Sequence, residues 1–272
     1  CWAMGYDHVE IDVKDGVGWL WLNRPDKLNA MCEDMWADIP AAVAELDADE
    51  SVRVIVVAGR GKAFTVGIDL TMLGTLEMDS KSEADKRAKL YAEIKRLQRT
   101  NSAFADSPKP TIAAVHGYCL GAGIDLITAC DIRLASEDAI FSVRETKMGL
   151  VADVGTLQRL PKIIAPGHLA ELVFTGGDID AGEAERIGLV NRVYADDEAL
   201  MESVTTMARE IAANSPLVVQ GAKRVLAAQE DMSTEAALDH MALWNAAFLW
   251  SNDLTEAMMA FMEKRPPKYT GT

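Results

Sequence analysis

Two short runs rich in apolar and β-branched residues, 9–13 and 17–22, flank Lys14-Asp15-Gly16, where the Asp-Gly step supplies the positive φ that a tight hairpin turn needs. A β-hairpin therefore opens the chain. Met35, Trp36, Ile39, Ala42, Val43 and Leu46 follow at helical spacing, and residues 52–58 then form an apolar, mostly β-branched run, interrupted only by Arg53, suited to a strand buried on both faces. Pro40 falls inside the helical pattern and is expected to kink that helix or to mark its true start. A polar helix over 83–105, a strand over 111–115, a helix over 122–129 and a strand over 131–135 continue the alternation. Such an order predicts right-handed crossovers and a largely parallel sheet of the α/β class. Beyond Arg192 no strand pattern remains, and 197–214, 217–229 and 234–263 predict consecutive helices. The last of these carries Met241, Leu243, Trp244, Ala247, Phe248 and Trp250, with Met258, Met259, Phe261 and Met262 further on. That is more apolar surface than one short helix buries alone, so the tail either completes the intrachain core, closes over a site as a lid, or meets another subunit.

The 272 residues, 49% of them apolar, suffice for one sizeable core. A net charge of −15 repels nucleic acid and anionic lipid, so neither is an expected partner, and an anionic ligand would need a local basic patch. No apolar run is long enough to span a membrane, and the acidic start (Asp7, Glu10, Asp12, Asp15) does not suit a signal or transit peptide. Tyr269-Thr270-Gly271-Thr272 is not a peroxisomal address. Cys1, Cys32, Cys119 and Cys130 form no C-x-x-C pair, and Cys119 and Cys130 lie in apolar surroundings. Reduced thiols and a cytoplasmic location are therefore expected.

Two glycine-containing loops follow buried strands, Gly59-Arg60-Gly61 through Gly67-Ile68-Asp69 and His116-Gly117 through Gly121-Ala122-Gly123. Neither has the spacing of a P-loop or a dinucleotide fingerprint. Each can offer a free backbone N–H, the second at a helix N-terminus, and two such donors converging would hold an oxyanion; taken alone, either loop is equally a tight strand-to-helix turn. Three carboxylates follow. Asp125, in the first turn of its helix, and Asp153, before Val154-Gly155-Thr156, could be helix caps, and Glu145, between Arg144 and Lys147, a solvated loop charge. Taken together they are two or three acids able to exchange protons beside an oxyanion site.

Leu22-Asn23-Arg24-Pro25-Asp26-Lys27-Leu28-Asn29-Ala30, Phe64 through Leu70, Ala113 through Gly117, Gly121 through Leu126 and Cys130-Asp131-Ile132-Arg133 resemble successive signature blocks of the crotonase (enoyl-CoA hydratase/isomerase) superfamily. The resemblance covers nearly the whole chain. It implies a crotonase ββα spiral core over 1–195 and a helical trimerisation or lid region over 196–272, assembled as a homotrimer or homohexamer. It implies an acyl-CoA thioester as ligand, with coenzyme A part of the substrate and no separate cofactor or metal. The oxyanion hole would be the N–H groups of Ile68 and Ala122. Lys27, Leu28, Ala30, Lys62, Val66, Gly67, Asp69, Leu70 and Gly121 would flank coenzyme A, with Arg24, Lys27 and Lys62 offsetting the chain's negative field. Lys264, Arg265 and Lys268 would either reach a neighbouring subunit's ligand or form a solubilising tail. Hydratases of the family carry glutamates at the positions of Asp125 and Glu145 and a glycine where Asp153 stands. The set found here resembles the family's dienoyl-CoA isomerases, and implies conversion of 3,5-dienoyl-CoA to 2,4-dienoyl-CoA in fatty-acid β-oxidation. Glu145 would be the base at C2, Asp153 the acid at C6 and Asp125 an orienting partner. Enoyl-CoA hydration and non-catalytic acyl-CoA binding are the alternatives.

Overall fold

The computed structural model describes residues 5–75 and 80–272; Cys1 lies outside them. β1 (Val9–Lys14) and β2 (Val17–Leu22) form the antiparallel hairpin, turned by Asp15 at φ 54° and Gly16 at φ 80°. α1 (Glu33–Ala48), β3 (Val54–Gly59), α2 (Glu83–Asp106), β4 (Thr111–Val115), β5 (Tyr118–Leu120), α3 (Ala122–Thr128), β6 (Ile132–Ser136) and β7 (Ile140–Ser142) follow. Next come α4 (Thr156–Arg159), α5 (Pro166–Thr175), β8 (Ile179–Asp180), α6 (Ala181–Arg186) and β9 (Arg192–Tyr194). The chain closes with α7 (Asp197–Ala212), α8 (Pro216–Ala228), α9 (Thr234–Phe248) and α10 (Asn252–Glu263). The main sheet runs β1-β2-β3-β4-β6-β9, parallel from β2 onward, and a small sheet runs β5-β7-β8. None of the helices, among the described residues, is long and apolar enough to cross a membrane.

The two-sided burial of β3 follows from its alternation. Ile55 and Val57 pack in one cluster with Met35, Trp36, Ile39 and Leu46 of α1, while Val54, Val56 and Ala58 face Leu200, Val204 and Ala208 of α7.

Pro40 does not mark the start of α1, which begins seven residues earlier at Glu33. Proline has no N–H for the carbonyl four residues back, and that carbonyl, Trp36 O, accepts instead from the buried Thr100 hydroxyl of α2 at 2.7 Å. The lost helix bond is thereby replaced and α1 is tied to α2.

Two further expectations are corrected. β9 is a strand beyond Arg192, paired with β6, and its three residues are too few to show a period of two. The region 234–263 is two helices, because Ser251 caps a new start by accepting from Leu254 N at 3.1 Å.

The stretch before the cavity is fixed by Asn29, wholly buried in a left-handed conformation at φ 55°. Its amide donates to Arg60 O at 2.9 Å and Ala63 O at 2.8 Å and accepts from Arg24 N at 2.7 Å. Asn29→Ala is expected to lower the unfolding free energy by about 3 kcal/mol, roughly one per lost bond, with further strain from an alanine at positive φ. Urea titration reads this directly; an unchanged midpoint would mean that these bonds carry no net stability.

Candidate active site

The loop after β3 is laced to both neighbours. Thr65 N donates to Tyr118 O (2.9 Å) and Leu120 N to Thr65 O (3.0 Å), while Met31 N donates to Gly67 O (2.8 Å) and Asp69 N to Met31 O (3.0 Å). Gly67 adopts φ 90°, and a Cβ there would stand 2.8 Å from Leu120 O and 3.3 Å from Ala122 N. Only glycine permits that approach. It brings Ile68 beside the first residue of α3. Neither the Ile68 N–H nor the Ala122 N–H donates to an acceptor among the described residues, and the latter lies at a helix N-terminus that favours negative charge.

A cavity of about 930 Å³ opens over this turn. Lys27, Ala30, Val66, Gly67, Asp69, Leu70 and Gly121 line it, together with Ile68 and Ala122. Leu28 and Lys62 do not. The Leu28 carbonyl is held by Val66 N at 3.2 Å, and Lys62 stands on an exposed turn whose carbonyl is packed by Gly117. Arg24 is not a free cation, because it grips Asp69 at 2.6 Å and Ala30 O at 2.9 Å and so pins the loop; this bond, first among several, holds Asp69 down to about 2.

Glu145 sits in a 3-10 turn, Arg144–Met148, and its Oε1 would lie 3.4 Å from a Cβ on Gly121. The carboxylate therefore stands directly over the turn that presents Ala122 N–H. Arg144 does not neutralise it, since that guanidinium pairs with Asp178 at 2.6 Å. Glu145 Oε2 is buried without a hydrogen-bond partner among the described residues, and burial, reinforced by the negative charges of Asp125 and Asp153, pushes the carboxyl up to about 7. A solvated loop charge is excluded.

Asp153 lines the same cavity and is not a helix cap; Gly155 occupies the N-cap of α4. Much of the side chain meets solvent, and partial burial at the cavity rim raises its pKa. Asp125 is fully buried behind the cavity wall and is not among its lining residues. It caps α4 rather than its own helix, accepting from Thr156 N at 2.5 Å, and burial pushes it up to about 6.

The sequence reading missed the opposite wall. Leu90, Ile94 and Leu97 of α2 line the cavity at helical spacing, a stripe hidden in a helix that is polar overall, and Trp36, Met72, Met148, Leu150, Val151 and Val154 extend the apolar surface. The 90, 94, 97 spacing was the available signal. An elongated apolar chain with a polarised carbonyl fits this geometry: two acids along the cavity, and two N–H groups at one place.

Residues 12–272 match the enoyl-CoA hydratase/isomerase family. Among curated proteins, the chain is 44% identical to "Delta(3,5)-Delta(2,4)-dienoyl-CoA isomerase, peroxisomal" of Arabidopsis thaliana, over 91% of this chain and 90% of that one. It is 42% identical to "Delta(3,5)-Delta(2,4)-dienoyl-CoA isomerase, mitochondrial" of Dictyostelium discoideum, over 96% and 91% respectively. A putative enoyl-CoA hydratase from Streptomyces coelicolor superposes with a TM-score of 0.90 at 34% identity, covering 99% of this chain and 96% of that chain.

Proposed function

This chain belongs to the enoyl-CoA hydratase/isomerase family, and on that basis we propose that it is a dienoyl-CoA isomerase, converting a 3,5-dienoyl-CoA to the 2,4-dienoyl-CoA. The observation that carries the reading is Asp153 on the wall of the cavity that also holds Glu145. Moving a conjugated pair of double bonds removes a proton at C2 and delivers one at C6, which a single carboxyl cannot reach. Glu145, beside the oxyanion turn, takes the C2 proton as the C2–H bond breaks. The electron pair spreads into a dienolate whose oxygen is held by Ile68 N–H and Ala122 N–H, and Asp153 gives its proton to C6. An apolar acyl chain filling the cavity strips water from Asp153 and drives it further toward the protonated form this step needs. Asp125 positions the α4 turn that follows Asp153. Its place behind the wall disfavours the hydratase reading, in which Asp125 and Glu145 would hold a water together.

No separate cofactor is needed, coenzyme A being part of the substrate, and Lys27 at the cavity offers a cation to its phosphates. The exposed Trp250, Phe261 and Met262 support assembly as a homotrimer or homohexamer. Arg265 does not serve as a free ligand contact, since Glu256 holds it at 2.6 and 3.0 Å. The buried thiols of Cys119 and Cys130 suit a reducing compartment, for which the cytoplasm is our reading.

An ultraviolet scan tests the activity. Growth of conjugated 2,4-dienoyl absorbance from a 3,5-dienoyl-CoA is expected; loss of the enoyl-thioester band from a 2-enoyl-CoA alone would make the protein a hydratase. Gly67→Ala tests the oxyanion turn. Its Cβ would press on Leu120 O and Ala122 N, and kcat is expected to fall about 10²- to 10³-fold, the loss typical of one oxyanion donor, with KM changing less. A change confined to KM would remove this turn from transition-state stabilisation.

A further inference from the structure

Away from the cavity, His8, Cys32 and Asp34 bring one nitrogen, one sulfur and one oxygen donor within 4.8 Å of one another. We propose that these three side chains form a divalent transition-metal site, best suited to Zn²⁺, with water completing a tetrahedron. This site is independent of the isomerase reading.

The donor set is the first argument. Imidazole, thiolate and carboxylate are the side chains that bind zinc, and three protein ligands plus water is a common arrangement. Donor atoms on a tetrahedral zinc stand roughly 3.3–3.8 Å apart given bonds of about 2.0–2.3 Å, so the cluster need contract by no more than about 1.5 Å. Asp34 is exposed and its side chain can turn inward to supply that movement.

The second argument is that no hydrogen bond or ion pair among the described residues holds the donors, although Cys32 packs against the core and His8 acts on Asp38 through charge. None of the three side chains makes a hydrogen bond among the described residues, and Cys32, the N-cap of α1, leaves its sulfur unused as a cap. The backbone on both sides is nevertheless fixed: His8 O accepts from Asn23 N at 2.8 Å and Cys32 O from Trp36 N at 3.1 Å.

The third is the surrounding charge. Asp38 of α1 is raised by burial and then by the negative charges of Asp34 and Asp7, with His8 opposing them, so three carboxylates share this corner with one imidazole. Arg24, the neighbouring cation whose guanidinium Cys32 helps keep charged, is held by Asp69. Binding forms a metal–sulfur bond and breaks the S–H bond, the thiol proton passing to solvent.

Cobalt(II), a spectroscopic substitute for zinc, provides the test on the full-length protein. One equivalent should produce a near-ultraviolet sulfur-to-cobalt charge-transfer band that zinc abolishes. Cys32→Ser should lose the band and His8→Ala should weaken binding at least tenfold. Serine is a good N-cap, so Cys32→Ser keeps the helix start, and circular dichroism verifies that it folds. Zinc should also slow alkylation of Cys32 in a Cys1→Ser background. A band that survives in Cys32→Ser, or no band and no protection at one equivalent, overturns the proposal.

Discussion

Replacing Glu145 by glutamine is expected to reduce kcat for dienoyl isomerisation about 10³-fold or more, within the 10²- to 10⁴-fold range of a positioned acid or base, with KM nearly unchanged. The amide keeps the shape of the side chain over Gly121 but cannot accept the C2 proton. The pH dependence supplies an independent reading. Burial and the charges of Asp125 and Asp153 place the Glu145 carboxyl at about 7. A base must be ionised, so below that pH the protonated fraction grows and activity falls; wild-type kcat/KM should rise through a midpoint near 7, and the glutamine variant should lack this limb. Any side hydration of 2-enoyl-CoA should vanish in the same variant. Activity within tenfold of wild type, or an unaltered limb, would take Glu145 out of the chemistry.

The complementary loss is expected in Asp153→Asn, where isomerisation should fall by about the same three orders of magnitude while folding and thioester binding persist. Isotope exchange separates the two acids more sharply than rate alone. In deuterated water the Asp153→Asn protein retains Glu145 and both oxyanion donors, so it should still exchange the C2 hydrogen of the dienoyl thioester, read by mass spectrometry, while no 2,4-diene accumulates. The Glu145→Gln protein should do neither. If Asp153→Asn lost exchange along with isomerisation, the two acids would have the opposite assignment of carbon atoms; undiminished isomerisation would remove Asp153 from the mechanism.

The elements most legible in the sequence were those with a long period. The β3 run and the Met35 to Leu46 stripe of α1 report burial on a repeat that many residues sustain. Short strands do not: β5, β7, β8 and β9 have two or three residues each, and their pairing depends on the frame around them. Among the site residues, the family resemblance carried Gly67, Gly121, Glu145 and Asp153 to the cavity. It could not tell that Asp125 caps α4 instead of α3, because that contact joins residues 31 positions apart. Likewise the Arg24 grip on Asp69 spans 45 positions, and it turns a cation expected to offset the chain's negative field into a loop clamp. The alternative in which Pro40 starts the helix failed for a similar reason, since the replacement donor Thr100 lies on another helix.

The burial of Asp125 also shapes how the whole molecule responds to acid. Its carboxyl ionises near 3.8 when exposed and at about 6 in the fold, so the native state holds a proton that the unfolded chain releases. Below about pH 4 both states are protonated and the site is neutral for stability. As the pH climbs through the interval between the two values the unfolded chain gains by ionising, and above about 6 the native protein is less stable by roughly 3 kcal/mol than if this group titrated normally. Glu145, raised from 4.5 to about 7, has the same sign. Mild acid therefore tightens this region of the protein while it silences the base, so the site is held most firmly in a form that is catalytically idle.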